Sequence, residues 1–253
     1  MTISYEDLIS GDSIFIEGVG HFKSPLLKDI KPSQGIGVNT YHFYLQCLLF
    51  DKAGIIDFIT HFVDDKKIYD IINQEEFNVF DILTLFPYLT EIYSQTFSFF
   101  SDERIEYNEE MRSFLLYERN NEVGQITRDN FEEVCNAILQ LNYIGLSENA
   151  KPSGYSSDKA KELWERAQKY LKEQPKNNKI DQRTSLGNII SKLSSVGIGY
   201  TLLNIYDLTI FQLYDQFFQY AYLRSTGLGE RVYTNYGGDK FDIYGWLNPL
   251  KTK

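Results

Sequence analysis

The dominant pattern of apolar and polar positions is helical. Tyr41, Tyr44, Leu45, Leu48 and Leu49 keep a three-to-four spacing, and Ile55, Ile56, Ile59, Phe62 and Val63 repeat it after a break near Gly54. Two packed helices are the economical account. Residues 77–100 predict one or two more, interrupted at Pro87, because proline removes an intrahelical hydrogen bond and clashes with the preceding turn. Asp129 and Glu132 form a capping box for a helix with an inward stripe of Phe131, Val134, Cys135, Ile138, Leu139 and Leu141. That helix ends near Gly145. A charged helix is expected over 158–173, and a further helix over 186–196.

Two stretches read differently. Residues 13–23 set apolar positions on both sides of Gly18-Val19-Gly20, the look of a strand that turns or bulges at its glycines. Ser24 then caps, and Pro25 opens, a short helix carrying Leu26, Leu27 and Ile30. Between Arg104 and Ile126, short β-type runs separated by polar residues predict a small antiparallel hairpin or meander. The fold class that follows is mainly α with a little β (α+β), in two lobes. The acidic N-terminal lobe is placed at 1–147. A hinge rich in Ser, Gly and Pro occupies 148–157, and a C-terminal helical lobe takes 158–253. A polar, basic loop is expected at 174–184. The Gly- and Tyr-rich tail over 232–247 has no clear period and reads as an extended arm or loop packing.

Most informative is the stretch 205–222, in which Tyr206, Phe211, Tyr214, Phe217 and Phe218 load nearly every face of one helix. Such a helix needs partners on several sides. Composition sharpens the picture: 43% of the chain is apolar and 15% aromatic, which is globular and implies a bulky core with many phenol hydroxyls to satisfy. Cys47 and Cys135 sit inside apolar helical patterns as small hydrophobes, so free buried thiols are expected. The acidic start and the lack of a long uncharged apolar run predict no export signal and no membrane helix, hence a reducing cytoplasmic setting.

The net charge of −10 is unevenly spread. Residues 1–149 carry 10 Lys+Arg against 25 Asp+Glu, and residues 150–253 carry 15 against 10, giving −15 and +5. An acidic lobe repels phosphate and argues against nucleic acid, while the basic part suits an acidic partner or the acidic lobe of a second copy.

Candidate chemistry is sparse. Four Gly-x-Gly pairs lack the third glycine of a dinucleotide site, and no phosphate loop is present. His21, His42 and His61 have no partners at metal-ligand spacing, so no metal or cofactor is expected. The acidic doublets lack the pattern of a calcium loop. His42 and His61 suit partly buried helical positions. The sole enzymatic candidate is His21, with Glu17 four residues before it beside the Gly-x-Gly.

Two segments resemble a known family: Ile-Phe-Ile-Glu-Gly-Val-Gly-His-Phe-Lys-Ser-Pro-Leu-Leu-Lys-Asp-Ile within 13–30, and Thr-Leu-Leu-Asn-Ile-Tyr-Asp-Leu-Thr-Ile-Phe-Gln-Leu-Tyr-Asp-Gln-Phe-Phe within 200–218. They resemble the tail assembly chaperones of bacteriophages with long tails. The likeness spans about a seventh of the 253 residues and rests on hydrophobic pattern plus the phrase Leu208-Thr209-x-x-Gln212-x-x-Asp215. It implies a non-enzymatic protein in the host cytoplasm that coats a long helical tape measure protein while tail-tube subunits assemble around it. Phage tail proteins would be its partners, with homo-oligomers an option. On that reading Tyr206, Phe211, Tyr214, Phe217 and Phe218 are contact residues, against the alternative that they fill the interior. A structural virion protein (tail, baseplate or head-tail connector) and a small-molecule enzyme using His21 and Glu17 remain as alternatives.

Overall fold

A computed structural model describes residues 1–60, 76–145, 185–197 and 199–236. The expected hinge, the charged helix, the basic loop and His61 lie outside these residues. Eight α-helices are present among the described residues: α1 Tyr5–Ser10, α2 Val38–Leu49, α3 Lys52–Thr60, α4 Val79–Leu83, α5 Pro87–Phe100, α6 Phe131–Leu141, α7 Leu186–Ser195 and α8 Ile210–Tyr236. Strands β1 (Ile14–Ile16) and β2 (Gly20–Phe22) form a hairpin, and β3 (Arg104–Asn108), β4 (Ser113–Glu118) and β5 (Asn121–Ile126) form an antiparallel meander. The α+β class expected from the sequence is therefore the class observed.

Two compact units share the chain, and neither is a single run of it. Unit 1 holds Met1, Asp12–Ser24 and Asn39–Leu139, whereas unit 2 gathers Thr2–Gly11, Pro25–Val38 and the chain from Gln140 onward.

Unit 1 is organised around the meander. Its middle strand β4 is buried from Ser113 through Leu116. Phe131 of α6 is the aromatic hub, with ring centroids 5.4 Å from Phe80, 5.8 Å from Tyr93 and 6.0 Å from Phe97, mostly edge to face as ring quadrupoles prefer. Tyr93 satisfies its buried hydroxyl by donating to the Cys47 carbonyl at 2.6 Å. Pro87 opens α5 at its first position instead of breaking a longer helix, since the missing N–H is unneeded there. The hairpin β1–β2 lies against β5. A side chain at Gly124 would meet the Val19 carbonyl oxygen at 2.1 Å, and Gln125 N donates to the Gly18 carbonyl. The close approach explains the glycine. Arg119, first of the two residues between β4 and β5, takes positive φ (58°), a role glycine or asparagine usually fills.

The entry to α6 differs from expectation by one position. The helix starts at Phe131, so Asn130 rather than Asp129 organises the turn, accepting from Thr127 N at 2.7 Å and donating to the Gln125 carbonyl at 3.0 Å.

Unit 2 is stitched from distant segments. The expected helix at Ser24-Pro25 is replaced by an extended stretch and one 3₁₀ turn, Leu27–Ile30, with Leu26 at its cap. Pairing with the segment before α8 is the cause: Ile210 N donates to the Pro25 carbonyl, Leu27 N donates to the Leu208 carbonyl, and Leu26 bridges Thr209. The aromatic stretch is likewise not one helix. It contains a 3₁₀ turn, Ile205–Asp207, an extended break, and then α8, which runs on to Tyr236. Residues 232–236, expected in an irregular arm, are thus helical.

Candidate functional site: the aromatic helix and its exposed approach

The first turn of α8 carries the Leu-Thr-x-x-Gln-x-x-Asp phrase, and each polar member has a structural task. Thr209 and Gln212 form a reciprocal box: Gln212 N donates to Thr209 Oγ1 and Thr209 N to Gln212 Oε1, both at 3.1 Å. Two otherwise orphaned helix-start donors are satisfied this way. The Gln212 amide then donates to the Ile9 carbonyl (3.0 Å), and more distantly to that of Ser10 (3.4 Å), at the end of α1. One turn on, Asp215 accepts from the Tyr5 hydroxyl at 2.9 Å. The phrase docks α1 onto α8.

Asp215 is 1% exposed, and its Oδ2 is a buried oxygen that meets no hydrogen-bond donor. Burial raises its carboxyl above the ordinary value, against the opposing hydrogen bonds from Tyr5 and Gln219. Burial, helped by the nearby Asp215 charge, likewise pushes the Tyr5 phenol far up.

The five expected contact residues fall into two groups. Phe211, Tyr214 and Phe218 are 0%, 1% and 8% exposed and pack around Tyr143, whose ring lies 5.0, 5.9 and 5.4 Å from theirs. Tyr143 reaches that position from a left-handed backbone (φ 65°), costly for a non-glycine residue and held by the stacking. These three side chains form the core of unit 2. Tyr206 and Phe217 are half-buried, and the Lys31 ammonium sits 4.8 Å from the Tyr206 ring centroid.

Just before Tyr206 the chain exposes apolar side chains that the sequence reading passed over. Leu202 is 62% and Leu203 93% exposed. Their loop is built from side-chain hydrogen bonds. Asn204 Oδ1 accepts from Thr201 N at 2.7 Å, Thr201 Oγ1 accepts from Leu203 N at 3.2 Å, and Asn204 Nδ2 donates to the Gly199 carbonyl at 3.1 Å. A Thr three residues before an Asn, just after two glycines, was the available signal for a tight polar turn. Nothing in periodicity says that the leucines inside it face outward.

His21 has a carboxylate partner, but it is Glu103 and not Glu17. Glu17 is exposed in the turn between β1 and β2. Glu103, itself buried, lies 2.8 Å from His21 Nδ1, takes the His21 backbone N–H, and accepts from Ser101 Oγ at 2.7 Å. Beside it Asp102 pairs with Lys23 at 2.7 Å and accepts from Ser13. Burial works to raise the Asp102 carboxyl, and the Lys23 and Ser13 contacts overrule it, leaving it below the ordinary value. Apart from the Ser101–Glu103 bond, which braces the carboxylate within its own segment, these polar contacts tie the hairpin to the segment after α5. The arrangement orients an imidazole against a buried carboxylate that also holds the Ser101 hydroxyl.

Cys47 and Cys135 are free and buried. Burial pushes the Cys47 thiol up to about 12 and that of Cys135 higher still, which makes both poor nucleophiles. No group of three or more His, Cys, Asp or Glu among the described residues is placed to hold a metal ion. Among the same residues, no helix is long and apolar enough to cross a membrane.

Comparison with known proteins gives one family model, described as the YomV second domain, which matches residues 174–251. No curated protein and no solved structure matches the chain. The matched segment covers under a third of the chain and contains α7, the Leu202-Leu203 loop and α8. The domain is phage-derived, and its likeness to this segment suggests that the chain is a phage protein.

Proposed function

We propose that the chain is a phage assembly factor that works by contact, a tail assembly chaperone that holds a long helical tape measure protein during virion assembly. The observation that carries this reading is the coincidence of the phage-derived domain match with the part of the chain that exposes Leu202 and Leu203 beside the half-buried Tyr206. The contact set then becomes Leu202, Leu203, Tyr206 and Phe217, with Phe211, Tyr214 and Phe218 supporting it from within. Apolar side chains that approach a partner helix on a rigid base are what helix recognition uses.

The test is affinity capture of the tagged chain from phage-producing cells, with mass spectrometry of both the captured proteins and the finished particles. Recovery of one very long, helix-rich protein, and absence from finished particles, is the expected result. Presence in purified virions would replace the chaperone with a structural tail or connector role. Capture of metabolic enzymes alone would defeat both.

A further inference from the structure

We infer that the free edge of β1 pairs with β1 of a second copy, in a symmetric antiparallel contact centred on Phe15. The inference is independent of the phage reading and rests on where the hairpin's backbone groups point. Phe15 faces His21 across β1–β2. The His21 N–H goes to the Glu103 carboxylate at 3.0 Å, and the His21 carbonyl accepts from Asp102 N at 3.2 Å and from Ser101 Oγ at 3.0 Å. Both groups thus turn away from β1, so Phe15 and His21 are a non-hydrogen-bonded pair, in which each residue directs its N–H and carbonyl outward. Those of Phe15 leave the open side of β1 and meet no partner among the described residues. Other edges are closed differently. The hairpin itself covers β5 through Gln125 N and the Gly18 carbonyl, and beside β3 the Ser98 hydroxyl of α5 binds both the N–H and the carbonyl of Ile105. Strand β1 has no lysine, proline or bulge to turn a second strand away. Instead it carries Phe15 outward, 57% exposed, with its ring 5.0 Å from that of His21.

A second copy suits this edge because the edge is so short. Within β1 only Phe15 offers outward groups, since Ile14 and Ile16 turn theirs toward β2 and the chain turns at Glu17. The complement of one outward N–H and one outward carbonyl is the same residue of another copy, approached about a two-fold axis. Both hydrogen bonds then close in one ring, with the two Phe15 Cα atoms about 5.5 Å apart. The two Phe15 rings meet as a cross-strand pair on the outward face, each flanked by its own His21. In this register Ser13 of each copy lies opposite Glu17 of the other, which keeps the two Glu17 side chains apart. The two patches are one and the same, so the contact closes at the dimer. It is also small, well below the roughly 1,000 Å² of a stable interface. Residues 1–149 carry 10 Lys+Arg against 25 Asp+Glu, so like charge opposes the approach. Association is therefore weak, and salt strengthens it by screening that repulsion.

Sedimentation velocity of the purified full chain, from about 10 to 300 μM, reads the association. The average mass should climb toward the dimer and no further, and added salt should raise it. Phe15→Lys should weaken association about tenfold or more, with an unchanged circular dichroism spectrum because the replaced ring is exposed. Oxidative cross-linking reads the register, and the native Cys47 and Cys135 are buried and stay out of it. Phe15→Cys should give a disulfide-linked dimer, since the expected Cα spacing lies within disulfide reach. Glu17→Cys should not, because its two copies lie about 13 Å apart. A wild-type chain that stays monomeric throughout overturns the inference, as does a Phe15→Lys variant that associates like wild type. Equal cross-linking of the Phe15→Cys and Glu17→Cys variants does so too, since it would mean a contact without this register. Each of these results is obtained without phage components, so the assembly role is judged separately.

Discussion

Both units have an aromatic centre, Phe131 in unit 1 and Tyr143 in unit 2, yet they are assembled by different means. Unit 1 takes most of its residues from the continuous run Asn39–Leu139, and its meander pairs neighbours in sequence. Unit 2 closes across long separations. Ile3 N donates to Gln140 Oε1, Gln212 reaches back to α1, and Tyr5 meets Asp215 210 positions away. Local pairing costs little loop-closure entropy, whereas distant pairing must be fixed by specific contacts. Unit 2 therefore concentrates its buried polar bonds on a few side chains, and these are the places to break it.

The largest effects should come from the two aromatic centres. Phe131→Ala and Phe211→Ala each empty a site lined by rings, and about 3–5 kcal/mol should be lost in either case. The location should differ, with amide exchange accelerating in β3–β5 for the first and in α1 and α8 for the second. If Phe211→Ala instead left α1 and α8 protected and weakened only partner capture, Phe211 would be a contact residue and its burial misleading.

A smaller effect separates the ties from the core. Gln212→Ala removes half of the capping box and the amide that closes α1, a loss of about 1–2 kcal/mol. Exchange should rise first in α1, a six-residue helix that relies on Ser4 at its start and on Gln212 at its end. Unchanged protection of α1 would show that Tyr5 and Ile3 suffice to hold it.

The contrast between the units also marks what the sequence discloses. In unit 1, three-to-four spacing locates α2 and α3, Pro87 marks a real boundary, and the short apolar runs after Arg104 are the meander. All are local signals. What escapes is Arg119 in a glycine conformation and the pairing of His21 with Glu103 instead of Glu17, since 82 positions separate the true partners. In unit 2 the phrase from Leu208 to Asp215 is visible, but its meaning lies in Ile9, Ser10 and Tyr5, which no spacing rule connects to it. For the same reason, apolar loading alone leaves unsettled which rings of the aromatic stretch face inward. Phe211 and Phe217 look equivalent in the sequence, yet Phe211 is buried with its ring 5.0 Å from that of Tyr143 while Phe217 is half-buried.

The last prediction turns on Asp215, and its sign depends on pH. In the unfolded chain this carboxyl titrates near 3.8, and in the folded chain burial raises it. Below 3.8 both states hold the proton and the site contributes no pH dependence. As pH rises from there toward the folded value, the folded state retains a proton that the unfolded state has given up, so stability falls, and it levels off above the folded value. Asp215→Asn keeps an oxygen for the Tyr5 hydroxyl and carries no charge, so the contribution of this site should become flat. The variant should differ least from wild type near pH 3 and gain on it steadily through the acid range, in urea titrations followed by fluorescence. A constant offset between the two at every pH would mean that Asp215 titrates alike in both states, and that Tyr5 and Gln219 already offset the cost of burying its charge.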